Sequence, residues 1–142
     1  MAENSHRAPT SPTVDALVQL SFTVQLVLTR VAAQHDLSVT QLRLLGILRD
    51  RTPTMAAIAA FLELDRSSVS GLIDRAERRG LVARHTSEKD ARVTLVEATP
   101  AGFAVARQIA ATVSDSLETL LAAASPVDRA SLEKLAATLP QP

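Results

Sequence analysis

The residues best suited to chemistry in this 142-residue sequence are arginines and serines clustered between positions 66 and 92. Arg66, Ser67, Ser68, Ser70, Gly71 and Arg75 come first, and Arg84, Lys89, Asp90 and Arg92 follow. Guanidinium forks match phosphate oxygens and guanine edges, and short hydroxyl side chains let a backbone approach both. That chemistry is recognition rather than catalysis. Cysteine is absent, which removes thiol nucleophiles, thiolate metal sites and disulfides. His6, His35 and His85 are far apart and lack metal-ligand spacing. No Ser/His/Asp set, glycine-rich phosphate loop or pair of carboxylates suited to one cleft is visible. No enzyme, no cofactor and no metal are therefore expected.

The elements that must position these residues follow from hydrophobic spacing. Alanine is abundant, and the chain has four glycines and only Phe22, Phe61 and Phe103 as aromatics, which favours helix over sheet and argues against base-stacking platforms. Residues 1–12, with Pro9 and Pro12, read as a loose tail. A first helix is expected from Thr13 to Gln34, apolar around most of its circumference and so in need of cover on more than one side. Its apolar stretch from Ala16 to Leu28, interrupted by Gln19, Ser21, Thr23 and Gln25, reads as too short and too polar to span a bilayer. With no basic start for a leader, the expected location is cytoplasmic.

Ser38-Val-Thr-Gln41 fits a capping box that opens a second helix, with Leu42, Leu45, Ile47 and Leu48 as its buried face. Thr52-Pro53 could hold a short strand, Thr54 to Leu62 reads as a third helix, and Asp65 caps a fourth that ends at Gly80. In that fourth helix Val69, Leu72, Ile73 and Ala76 form an inward face, leaving the serines and arginines outside. Leu81–His85 and Arg92–Glu97 are expected to form a hairpin around a polar turn. Thr99-Pro100 starts a long fifth helix to Ala124, and Ser125-Pro126 a last one. Helix-turn-helix offsets are met by Ile58, Ala59, Leu62, Leu64, Val69 and Leu72, although Glu63 stands where glycine is common. Asp74, Arg75, Glu77 and Arg78 are expected to pair along the helix.

Taken together, Asp65-Arg-Ser-Ser-Val-Ser-Gly-Leu-Ile-Asp-Arg75, Arg79-Gly-Leu-Val-Ala-Arg84, Asp90-Ala-Arg92 and Thr99-Pro-Ala-Gly102 make the sequence resemble the MarR family of winged-helix transcriptional regulators. The opening Leu37-Ser-Val-Thr-Gln-Leu42 is similar as well, and the resemblance covers roughly residues 14–139. It implies a mainly helical fold with one small β-hairpin. In it a winged helix-turn-helix core over 37–98 (helix-turn-helix 54–79, wing 81–98) is flanked by dimerisation helices at 13–36 and 99–139. It also implies a homodimer on a pseudo-palindromic double-stranded operator, with the fourth helix in the major groove, Arg92 in the minor groove and Asp90 orienting Arg92. The DNA-binding set would be Arg66, Ser67, Ser68, Ser70, Gly71, Arg75, Arg84, Lys89, Asp90 and Arg92. A small-molecule effector pocket between the dimer helices and the winged domain is implied too, as for a repressor released by ligand. Gly71 and Ala98 depart from the usual family pattern.

Fifteen basic and fifteen acidic residues give a net charge of zero, but the charge is unevenly placed. Residues 66–92 carry +3, residues 93–142 carry −2 and residues 1–42 carry −1. That distribution suits a DNA reader with acidic dimer helices and excludes only a uniformly basic protein. The rival reading is a winged-helix protein-interaction module that does not bind DNA, motivated by Gly71 and the zero balance.

Overall fold

In a computed structural model of the chain, residues 11–140 are described. Most of the expected tail therefore lies outside the described residues. Pro12 does not belong to it: Ser11 precedes a helix that Pro12 opens, where its missing N–H costs nothing. Helix α1 runs Pro12–Gln34, α2 Val39–Leu48, α3 Met55–Leu62 and α4 Arg66–Arg78. Strands β1 (Val82–Thr86) and β2 (Thr94–Ala98) pair antiparallel from Val82 opposite Ala98 to Thr86 opposite Thr94. Helix α5 spans Pro100–Leu120, a 3-10 turn covers Leu121–Ala123, and α6 spans Pro126–Thr138. The hairpin sits one to two residues later than its sequence signal, which leaves Arg92 in the wing loop rather than in a strand. A bridge between Thr54 and Leu95, with the Val96 N–H donating to the Pro53 carbonyl, adds the short strand-like segment expected at Thr52-Pro53.

Helix starts follow their caps. The Ser38–Gln41 capping box is formed in both directions. Thr54, Asp65, Thr99 and Ser125 each accept a backbone N–H three residues on. Helix ends share a second device. After α1, α3 and α4 the next residues fold back so that the N–H groups of Leu37, Leu64 and Leu81 reach the carbonyls of Ala32, Ala59 and Ala76. The left-handed position in these three ends is filled by Asp36 (φ 53), Glu63 (φ 53) and Gly80 (φ 70).

The core is one cluster beneath α3, α4 and the hairpin. Leu44, Leu48, Ile58, Val69, Leu72, Ile73, Val82 and Val96 are its most enclosed side chains. The inward face of α4 is as its spacing predicts, whereas Leu44 of α2 was not on the expected face and is fully buried. Val31 and Ala32 of α1 and Ala106 and Ile109 of α5 complete the cluster. Gly102 lets α5 dock, because a Cβ there would lie 1.9 Å from the Leu81 carbonyl oxygen.

Away from that cluster the long helices are bare. Leu17, Leu20, Phe22 and Leu26 of α1 and Val127, Leu132 and Leu135 of α6 are exposed, and α6 buries no residue. Being 23 residues long, α1 is long and apolar enough to cross a bilayer by length and composition, contrary to the count over Ala16–Leu28. The helix extends beyond that stretch at both ends, and the Thr23 and Thr29 hydroxyls are satisfied by the Gln19 and Gln25 carbonyls.

Candidate nucleic-acid interface

Helix α4 presents its polar face between two clefts. On one side, a cleft of about 340 Å³ brings Arg66 and Ser70 of α4 together with Arg92 and Thr94 of the wing and Thr54 and Met55 at the start of α3. On the other, a cleft of about 360 Å³ joins Ser67, Ser68, Gly71 and Arg75 to Ser38 and Thr40 at the start of α2. Arg66, Ser67, Ser68, Ser70, Gly71, Arg75 and Arg92 are thus gathered on one surface. Ser38, Thr40, Thr54 and Thr94 border it as well and were missed. Ser38 and Thr54 had visible signals, but their capping roles already explained them.

The wing arginine is held by its backbone and free at its tip. Asp90 Oδ1 accepts the Arg92 backbone N–H at 3.0 Å and lies 3.7 Å from Arg92 Nε. The Arg92 side chain is 95% exposed. The Lys89 backbone N–H donates to the Ser87 hydroxyl, tightening the same turn. Arg84 is placed differently. Its guanidinium donates to Asp74 Oδ1 at 2.6 Å and Glu77 Oε2 at 2.7 Å, and reaches the Ser70 carbonyl. Its side chain is only 25% exposed. Arg84 therefore joins the wing to α4, and it takes both carboxylates that were expected to pair with Arg75 and Arg78. Among the described residues Arg66, Arg75, Arg78 and Lys89 enter no ion pair, so four cations beside Arg92 keep their charge for a partner.

The helix front is capped by Asp65, whose carboxyl is held down to about 2 by the Ser68 backbone N–H first and then by the Ser67 and Ser68 hydroxyls. The N–H of Ser68 is thereby spent on Asp65. At Gly71, an added Cβ would come within 3.3 Å of Arg75 Nη1, so the Arg75 side chain lies over the space that a larger residue would fill. At the far end of α4, Arg79 donates to the His35 and Asp36 carbonyls, closing the end of α1. No group of metal-ligating side chains occurs among the described residues.

This order of helix, turn, exposed polar helix and arginine-tipped hairpin coincides with a known family. Residues 35–93 match the model of the MarR family. The chain has a winged helix-turn-helix fold and over those residues is similar to the MarR family. MarR of E. coli in its apo form has the same fold, with a TM-score of 0.80 and 23% identity over 94% of this chain and 100% of that one. A MepR variant of S. aureus bound to an oligodeoxyribonucleotide matches with a TM-score of 0.65 and 21% identity, over 92% of this chain and 100% of that one. NadR in complex with 4-hydroxyphenylacetate matches with a TM-score of 0.74 and 21% identity, over 96% of each chain. No curated protein sequence matches the chain. The MarR-family match includes α4 and Arg92 and stops before β2, leaving Thr94 of the first cleft outside it.

Proposed function

We propose that the protein is a homodimeric, sequence-specific DNA-binding transcriptional regulator of the cytoplasm, a repressor released by a small molecule, and not an enzyme. The observation that carries this reading is the pairing of an exposed polar face on α4 with Arg92, whose backbone and Nε are held by Asp90 while its side chain stays 95% exposed. A recognition helix fits the major groove, and an arginine at a wing tip suits the enhanced negative potential of a narrow minor groove. Arg66, Ser67, Ser68, Ser70, Gly71 and Arg75 would face bases and nearby phosphates, with Lys89 and Asp90 supporting the wing. Arg84 would act through Asp74 and Glu77, setting the angle between wing and helix. Residues 37–98 would bind DNA, while 13–36 and 99–139 would dimerise, each subunit reading a half-site about one helical turn from the other.

An apolar cavity of about 150 Å³ between α1, α2 and α5, lined by Leu28, Leu45, Ala106, Ile109 and Val113 with Arg49 beside it, is the proposed effector site. Its size suits a single small ring, and NadR, of like fold, holds 4-hydroxyphenylacetate. Footprinting on the DNA upstream of the protein's own gene, with and without candidate small aromatic acids, tests both parts. Protection of two half-sites that is lost with one compound is the expected result. Absence of specific protection at low salt overturns the reading and favours the protein-interaction module.

A further inference from the structure

The front of α4 carries a hydrogen-bond arrangement with a consequence for which bases it can read. Asp65 Oδ1 accepts the Ser68 backbone N–H at 2.8 Å and the Ser67 hydroxyl at 2.8 Å, and Oδ2 accepts the Ser68 hydroxyl at 2.8 Å. These bonds hold the carboxyl at about 2, so it is ionised across the neutral range and has no proton to give. A serine hydroxyl has one proton and two lone pairs. At both serines that proton is directed at Asp65, and only lone pairs are left for an outside partner. Both side chains are exposed and line the cleft beside Gly71.

We propose that Asp65 is a specificity-positioning residue: by fixing the hydroxyl protons of Ser67 and Ser68 it makes the front of α4 an acceptor surface, which selects amino-bearing base edges over keto-bearing ones. The inference rests on the DNA-binding reading above. In the major groove each base pair offers one amino group, adenine N6 or cytosine N4, and one keto oxygen, thymine O4 or guanine O6. A freely turning serine hydroxyl donates to one and accepts from the other, so it distinguishes neither. A fixed one meets the amino hydrogen with a lone pair and meets a keto oxygen with lone pair against lone pair. Phosphate oxygens are refused for the same reason, which leaves the backbone to Arg66, Arg92 and the unpaired arginines of α4. Arg75, in the same cleft, is then the forked donor beside two acceptors.

The test is selection of bound duplexes from a pool with randomised half-sites, using the full chain as wild type, Asp65→Asn, Ser67→Ala and Ser68→Ala. Asparagine still caps the helix, but its amide nitrogen donates and cannot take the second hydroxyl. The wild type is expected to prefer amino over keto bases by about fivefold or more at the serine positions. Asp65→Asn, which keeps the Oδ1 acceptor of the Ser67 hydroxyl and loses the Oδ2 acceptor of the Ser68 hydroxyl, should bring that preference to within about twofold at the Ser68 position while leaving other positions and the salt dependence unchanged. The alanine variants should lose it at the same positions with the Asp65 cap intact. A profile of Asp65→Asn that is only weakened uniformly, or keto bases at the serine positions of the wild type, would overturn the inference while leaving the DNA-binding reading standing. A wild type that selects no sequence would overturn both.

Discussion

Arg84 and Arg92 both belong to the hairpin region, yet their surroundings give them different work. Arg84 is tied by two carboxylates of α4 and largely covered, whereas Arg92 is open to solvent. Replacing Arg92 by Ala should weaken operator binding and lower the slope of log affinity against log salt by about one, since one phosphate-facing cation is lost. Fluorescence anisotropy across a salt series measures this, and an unchanged slope would remove the wing from the interface. Asp65 gives a stability prediction at the same scale. Its carboxyl is lowered from 3.8 to about 2 in the folded chain. A depressed carboxylate contributes stability that is complete above its unfolded value and is lost as pH falls through its folded value. The melting-temperature difference between wild type and Asp65→Ala should therefore be constant above about pH 5 and shrink between about pH 4 and pH 2.

At the scale of elements, the decisive contacts are where helices end. Glu63 holds a left-handed conformation at the end of α3, a position that suits glycine or asparagine better than a residue with a long side chain. Glu63→Asn should stabilise the fold by about 0.5–1 kcal/mol in denaturant unfolding. A loss of stability would mean that the Glu63 side chain has a compensating role. Gly102 has the opposite character. Its missing Cβ is what allows α5 to lie on the Leu81 backbone, where neither partner can swing aside. Gly102→Ala should cost about 3 kcal/mol or more, or prevent folding, because the clash is with backbone. The same junction ends α4 and starts β1, so a partly folded variant should lose operator affinity as well.

For the whole molecule, the imbalance between its middle and its long helices is the main fact. The helix-turn-helix and the hairpin enclose a continuous core, while α1 and α6 expose leucines and a phenylalanine along faces that pack on nothing in one chain. Exposed apolar area of that extent marks an association surface. Arg129, bound to Glu118 and to the Leu121 carbonyl, fixes how α6 leaves α5. Changing Leu20 and Leu135 together to Asp should convert the proposed dimer to a monomer in sedimentation velocity and abolish cooperative operator binding. A wild type that sediments as a monomer at micromolar concentration would overturn the dimer.

Much of this protein is written in local sequence. The caps at Ser38, Thr54, Asp65, Thr99 and Ser125, the buried stripe of α4 and the Asp90–Arg92 turn all depend on residues within a few positions of each other, so spacing alone determines them. The gathering of arginines and serines on one helix face is of the same kind. What spacing does not carry is the choice among partners of equal chemistry far apart in the chain. Asp74 and Glu77 could pair along their own helix, and only the packing of β1 on α4 brings Arg84 to both. Likewise, Arg79 reaches the end of α1, 43 residues away, and Ser38 and Thr40 border α4, only because the core draws these elements together. Local rules determined the elements and the residue types on their faces; burial of a shared core decided which charges were spent inside the fold and which remained for a partner.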